Sequence, residues 1–372
     1  MTEIADLETP ALVVDLDRME RNLDRVAEYA RKHGLALRPH IKTHKSPVLA
    51  RHQMQRGAAG LTCATPFEAE VMSDVSSDLL VMYPPVGPQR ADRLARVARD
   101  VRLTVALDSE TAARELSRAA ENAGSTVHVL VELDAGMHRV GLPIIDDAVR
   151  LAQLIRTLPK LELDGIAFYP GHVRAHVSEH EQQIDELSRF VAHARETFER
   201  HDVPLRVVSA GSTPTMFETH RIRGVTEMRP GTYIFNDRTT AEIGACGWDD
   251  CALTVLATVV STAVPGQAVV DTGSKALGRE PMRGGAADGF GCLEAKRDVV
   301  VQSMSEEHGI LDLSRSHWRP SVGERVRIIP NHVCIVVHLA DVVYGVRDGA
   351  VVSSWPVAAR GRGQPVLADL GR

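Results

Sequence analysis

Short apolar runs alternate with stretches of helical spacing through the first two thirds of the chain. ALVVDL (11–16) predicts a strand. Asp17 is then placed to cap a helix through about Lys32, with Met19, Leu23, Val26 and Ala30 on one face and Gly34 as the stop. Eight further strands are predicted: LALRPHIK (35–42), AGLTCA (59–64), LLVMY (79–83), VRLTVALD (101–108), TVHVLVELD (126–134), LDGIAFYP (163–170), LRVVSAG (205–211) and GVTEMRPG (224–231). Helical segments separate most of them, that at 182–200 being the longest, and the link between the last two is short. About eight strand–helix units over roughly 200 residues predict an α/β fold of the (β/α)8, TIM-like barrel type. A doubly wound open sheet is the alternative.

From about Ala252 the pattern changes. LTVLATVVSTAV, QAVVDTG, ERVRIIP, VCIVVHL and VVYGVRDG read as strands. This predicts a barrel over residues 17–238 and a second, mostly β domain over 239–372, joined by the N-terminal strand of 1–16. Residues 277–292, LGREPMRGGAADGFGC, read as a glycine-rich loop without regular periodicity, of a length that in compact domains is often functional or mobile, and the sequence leaves open whether it is a lid.

Composition narrows the class. The 372 residues are 44% hydrophobic and 25% charged, as in ordinary globular proteins, and the net charge of -6 argues against nucleic-acid or anionic-membrane partners. No apolar run is long enough to span a bilayer, and the N-terminus lacks a signal-peptide pattern. Five scattered cysteines without a CxxC pair read as reduced and cytoplasmic.

Catalytic side chains of such barrels sit at the C-terminal ends of the strands. Here those ends carry His40 and Lys42, Cys63 and Thr65, Tyr83, Asp108, Asp134, Tyr169 and His172, then SAGSTPT and RPGTY. In RPHIKTHKS (38–46) strand alternation points Arg38, His40 and Lys42 into the barrel mouth. Lys45 falls beyond the strand, at a helix start, where a solvated lysine is expected. Two readings stand for the segment: an amine nucleophile made reactive by desolvation and neighbouring cations, or a surface cluster that positions a loop.

The glycine-rich loops add to the first reading. SAGSTPT (209–215) and RPGTY (229–233) follow the seventh and eighth strands, the usual phosphate site of these barrels. Gly211 and Gly231 permit close backbone approach, and Ser212, Thr213 and Thr232 supply hydroxyls. With an inward lysine on the first strand they suggest a phosphorylated cofactor able to form a Schiff base, and pyridoxal 5'-phosphate fits that description. In PNHVC (330–334), His332 and Cys334 would face the same way on a strand and could hold a zinc ion, with other positions left for substrate, water or a third side chain. Asp341 and His308 are further candidates.

Together these segments resemble the fold-type III pyridoxal-phosphate enzymes of the D-threonine aldolase and D-serine dehydratase family, related to the alanine racemase barrel. The resemblance runs through TPALVVDLD, RPHIKTHKS, ELDAGMHRVG, YPGH, SAGSTPT, TEMRPGTYIFND, DTGSKAL, SEEHG, PNHVC and WPVAARGR. It implies that Lys42 is the Schiff-base lysine and the base at Cα. Arg139 would lie close to the pyridoxal ring oxygen and Tyr169 would contact the cofactor. Ser212, Thr213, Gly231 and Thr232 would hold the phosphate, and His332 and Cys334 the metal. His40 and His172 would be acid–base or supporting residues.

The family holds two chemistries on D-configured β-hydroxy-α-amino acids. One is metal-assisted elimination of water, giving a 2-oxo acid and ammonia; the other is retro-aldol cleavage to glycine and an aldehyde. By the resemblance, the metal pair tends to be His and Cys in the dehydratases and His and Asp in the aldolases. Cys334 therefore favours elimination, and a thiolate favours zinc over manganese or magnesium. There is a departure: the best-known dehydratases carry Pro-Thr and an asparagine after PNHVC, where this chain has Ile335, Val336, Val337 and His338. The substrate could thus be D-serine, D-threonine or a 3-hydroxyaspartate. A racemase, with Tyr233 or Tyr344 as a second base, and a non-catalytic cofactor carrier are the rival readings. A homodimer is expected, because in look-alike barrels the second subunit helps to close the site.

Overall fold

The computed structural model describes residues 2–282 and 288–364. Its first sheet has eight parallel strands: Ala36–Leu37, Leu61–Cys63, Asp78–Val81, Arg102–Leu107, Val127–Leu133, Leu161–Phe168, Val207–Ala210 and Glu227–Met228. Each pairs with its neighbours in sequence, and the last pairs with the first. Between the first two strands the ladder is carried by the His40–Thr62 bridge and by Ala59 N and Thr62 N, which donate to the carbonyls of Leu37 and Pro39 at 2.8 Å. The ring is thereby closed, and the open-sheet alternative is excluded.

The first and last strands are shorter than their sequence patterns. Pro39 and Pro230 remove backbone donors at the ends of both, and the ladder continues only as single bonds such as His40 N to Pro230 O at 3.0 Å. One consequence is a correction: Lys42 lies not on a strand but in the 3-10 turn Ile41–Thr43. The helix after the N-terminal strand spans Leu16–Lys32 and buries Met19, Leu23, Val26 and Ala30 as their spacing predicts, but its cap is Asp15, which accepts from Arg18 N at 3.0 Å, and not Asp17.

Ion pairs reach from the barrel interior to its rim, where Arg102 and Arg206 are exposed. Arg38 pairs with Glu227 at 2.6 Å and with Asp78 at 2.7 Å. Asp164 gathers His128, Arg102 and Arg206. Burial works against the Arg38 charge, but the two carboxylates outweigh it and hold its pKa above the usual value.

The strand Ala11–Asp15 belongs to the second sheet. It runs antiparallel to Leu253–Ser261 and parallel to Val342–Arg347. Leu253–Ser261 pairs in turn with Gln267–Val270 and Arg325–Pro330. The strands expected within 253–264, 267–273, 324–330 and 342–349 are therefore present. VCIVVHL is not a strand: Val333–Leu339 is an α-helix with His332 at its N-cap. Its β-branched composition suggests a strand. The buried set Val333, Val336 and Val337 nevertheless has the i, i+3, i+4 spacing of a helix face. The segment 277–292 contains the start of the strand Gly291–Leu293, and its residues 283–287 lie outside the described part of the chain.

Candidate active site

The C-terminal ends of the barrel strands surround a cavity of about 480 Å³, a size typical of small-molecule sites. Eleven of the residues singled out in the sequence line it: His40, Lys42, Tyr83, Arg139, Tyr169, Gly211, Ser212, Thr213, Gly231, Thr232 and His332; Cys334 lies just behind this wall. The Tyr169 ring is common ground for two cations, with Lys42 Nζ 5.6 Å and Arg139 Cζ 5.2 Å from its centroid. Gly171 leaves room for that ring, since a Cβ there would collide with it.

His40 is buried beside Lys42, and its Nδ1 accepts from the Lys42 backbone N–H at 3.5 Å. Burial, then the charges of Lys42 and Arg229, push its pKa well below the ordinary value, so the imidazole is neutral. His172 is not in the cavity wall. Its ring packs on Gly136, where a Cβ would lie 3.2 Å away, and its buried Nδ1 has no hydrogen-bond partner. Lys45 departs from expectation too: it is buried, with φ at 51°, and its ammonium pairs with the fully buried Glu68 side chain.

The two glycine-rich loops meet. Gly231 N donates to Thr213 Oγ1 at 3.3 Å, and Ser212 Oγ lies 3.0 Å from Thr215 Oγ1. A Cβ on Gly231 would sit 3.1 Å from Thr43 Oγ1 and 3.3 Å from His40 Cβ, and Gly211 has φ at 108°. Backbone groups thus reach the cavity surface beside several hydroxyls. With an amine and an aromatic face alongside, these residues fit pyridoxal phosphate.

The donor pair also assembles, although on a helix start and not on a strand. Cys334 Sγ is 3.2 Å from Thr43 Oγ1 and 3.9 Å from Thr232 Oγ1. Burial opposes the thiolate. The charge and hydrogen bond of His332, with the Lys42 charge, outweigh burial and bring the Cys334 pKa down to about 7. Burial likewise opposes the His332 cation, and the Cys334 and Asp237 charges and bonds raise its pKa to about 10. The half-buried thiol and imidazole thus favour each other's charged forms, and a divalent metal would displace the proton between them. Among the described residues no group of three or more His, Cys, Asp or Glu is arranged to hold a metal. Substrate or water would have to complete the coordination. Asp341 pairs instead with Arg360, and Tyr233 is buried with its hydroxyl on Gln53, outside the cavity wall.

Three residues were not anticipated. Asp237 caps the helix Arg238–Glu242 through Oδ1, while its Oδ2 accepts from Val333 N at 3.2 Å and lies 3.1 Å from His332 Nδ1. A carboxylate so placed fixes the tautomer and orientation of the imidazole, as it would have to for a metal ligand. Its signal is an aspartate just before a helical segment, the N-cap pattern in FNDRTT. Arg229, from the quoted TEMRPGTY, is buried in the cavity wall with Nη1 on Ser209 Oγ and Nη2 on the Phe168 carbonyl at 2.8 Å. Glu132 is buried near it with Oε2 unpartnered. Burial raises its pKa to about 7 against the opposing charges of Arg229 and Arg139.

Comparison with known proteins finds the alanine racemase N-terminal domain over residues 14–239 and the serine dehydratase domain over residues 252–346. D-threonine aldolase of Arthrobacter sp. is 32% identical, with 96% of this chain and 94% of the relative covered. D-threo-3-hydroxyaspartate dehydratase of Delftia sp. is 34% identical, covering 88% and 91%. Among solved structures, D-threonine aldolase from Filomicrobium marinum superposes with a TM-score of 0.89 at 34% identity, over 96% of this chain and 97% of the other. A cysteine-to-alanine mutant of D-threo-3-hydroxyaspartate dehydratase in the metal-free form gives 0.84 at 29% identity, over 98% and 100%.

Proposed function

The chain belongs to the pyridoxal-phosphate-dependent lyases built from an alanine racemase N-terminal domain and a serine dehydratase domain, and from that premise we propose that it eliminates water from a D-configured β-hydroxy-α-amino acid. The products are a 2-oxo acid and ammonia. The observation that supports this reading is His332 in the same cavity wall as Lys42, with the Cys334 thiol beside both His332 and Thr43.

Bound there, pyridoxal phosphate supplies an electron sink for charge developing at Cα, and a divalent metal supplies a Lewis acid for the departing β-hydroxyl. The chain does the rest. Ser212, Thr213, Gly231 and Thr232 hold the phosphate, and Tyr169 with Arg139 positions the ring. Lys42 Nζ takes the proton from Cα. The neutral His40 beside it keeps a second cation away from that amine. His332 and Cys334 donate to the metal, and Asp237 fixes the imidazole through Nδ1. A thiolate donor makes zinc the favoured ion over manganese or magnesium. The active unit in this reading is a cytoplasmic homodimer, and an active monomer by light scattering would overturn that part.

Retro-aldol cleavage is the second reading, favoured by the aldolases among the similar proteins. Product analysis separates the two. D-threonine is supplied to the purified protein with pyridoxal phosphate, with and without chelator. 2-Oxobutanoate and ammonia, lost on chelation and restored by zinc, support elimination. Glycine and acetaldehyde would replace it with the aldolase reading.

A further inference from the structure

Among the described residues, the charged groups in the cavity wall are the cations Lys42, Arg139, Arg174, Arg229 and His332 and the carboxylate Asp237. Asp237 is committed to His332, Val333 N and Thr240 N. Arg229 is fixed in the barrel wall by Ser209 and the Phe168 carbonyl. Lys42 and Arg139 share the Tyr169 ring. Arg174 has no such engagement. It follows the strand Leu161–Phe168 on the same loop as Tyr169 and is half-buried. Its Nε donates to the Gly171 carbonyl, and its Nη2 meets only the weak acceptor Met137 Sδ at 3.7 Å. Among the described residues no carboxylate pairs with it. The guanidinium is therefore held by one edge, while its remaining donors face a cavity whose nearby chain neighbour, Val173, is apolar. A partly buried guanidinium without a counter-charge calls for an anion, and its fork matches a carboxylate.

We propose that Arg174 selects the substrate by binding a second, side-chain carboxylate, so that the preferred substrate is a dicarboxylic β-hydroxy-D-amino acid. This rests on the reading of the cavity as an amino-acid site. It does not depend on whether water elimination or retro-aldol cleavage follows.

The test compares D-aspartate with D-asparagine, which differ in charge but hardly in shape and lack the β-hydroxyl that either reaction needs. Each is titrated into the holoenzyme, loaded with pyridoxal phosphate and zinc, and binding is read from the visible spectrum of the cofactor. The wild type should bind D-aspartate roughly tenfold or more tightly than D-asparagine, the size of one charge-assisted hydrogen bond. In Arg174→Gln that ratio should fall to about one, and Arg174→Lys should restore part of it. In turnover, Arg174→Gln should raise the KM for D-threo-3-hydroxyaspartate about tenfold with kcat little changed, and leave D-threonine unaffected. Equal binding of the two ligands by the wild type would overturn the proposal. So would a ratio that survives Arg174→Gln, or an equal loss for both ligands, which would place the α-carboxylate on Arg174. If neither ligand perturbs the spectrum, the amino-acid reading of the cavity fails and the proposal falls with it.

Discussion

The Lys45 ammonium is buried against the Glu68 carboxylate, and Glu68 Oε2 also accepts the Ala64 N–H. Lys42, three residues earlier, lies instead in the cavity wall with its ammonium over Tyr169. One lysine of RPHIKTHKS is thus held in a buried ion pair and the other faces the cavity. Removing one partner of a buried pair leaves an uncompensated charge, which costs about 3–5 kcal/mol. Lys45→Ala should therefore lower stability by that order in urea denaturation, and the folded fraction should still bind the cofactor. The paired replacement Lys45→Met with Glu68→Gln should recover most of the loss, because no charge is then left buried.

For Lys42→Ala the expected pattern is reversed. Lys42 has no ion-pair partner among the described residues, so stability should change by less than about 1 kcal/mol. The visible absorbance of the lysine-bound cofactor and all turnover should vanish. Retained absorbance in Lys42→Ala, with loss in Lys45→Ala, would interchange the two roles.

Asp237 links cavity to helix: one oxygen caps Arg238–Glu242 and the other orients His332. A carboxylate in that position typically contributes about 10–100-fold to metal affinity. Asp237→Asn should weaken zinc binding by that factor, measured by competition with a chelator, while the cofactor absorbance stays. Cys334→Ala removes a donor outright and should lose zinc and activity together. Zinc-dependent activity surviving in Cys334→Ala would take the thiol out of the site.

Much of this arrangement is legible in the chain. Period-two strands and the glycine-rich ends of SAGSTPT and RPGTY locate the barrel and its open face, because both follow from local backbone chemistry. Lys45 was misread for the opposite reason. Its counter-ion is 23 residues away, and no local pattern announces a tertiary ion pair. VCIVVHL was misread because β-branched composition outweighed the helical spacing of its valines. For His172 the resemblance implies an acid–base or supporting role, and only the folded chain shows that its ring packs on Gly136 and not in the cavity wall. Arg229 and Asp237 lay within quoted segments, and only the folded chain shows that they meet the cavity.

His44 gives the pH prediction. It is buried, its Nδ1 accepts from Ser46 N at 3.1 Å, and its Nε2 lies 3.2 Å from Gln53 Oε1. Both bonds suit the neutral ring with its proton on Nε2. Burial lowers its pKa to about 4, against the raising effect of Gln53. Between that value and the ordinary 6.5 the unfolded chain binds more protons than the folded one, so stability increases with pH across this window. Acidifying from pH 7 to 5 should cost about 2 kcal/mol through this residue alone. Glu132 acts in the opposite sense. Its raised value of about 7 means the folded state binds the extra proton, and stability increases as pH falls toward the ordinary 4.5. The two contributions offset each other in the wild type, so the variants carry the test. Urea denaturation of Glu132→Gln at both pH values should show the steeper acid loss, and His44→Gln should lose it. A His44→Gln profile parallel to the wild type would mean that the imidazole does not remain neutral in the folded protein.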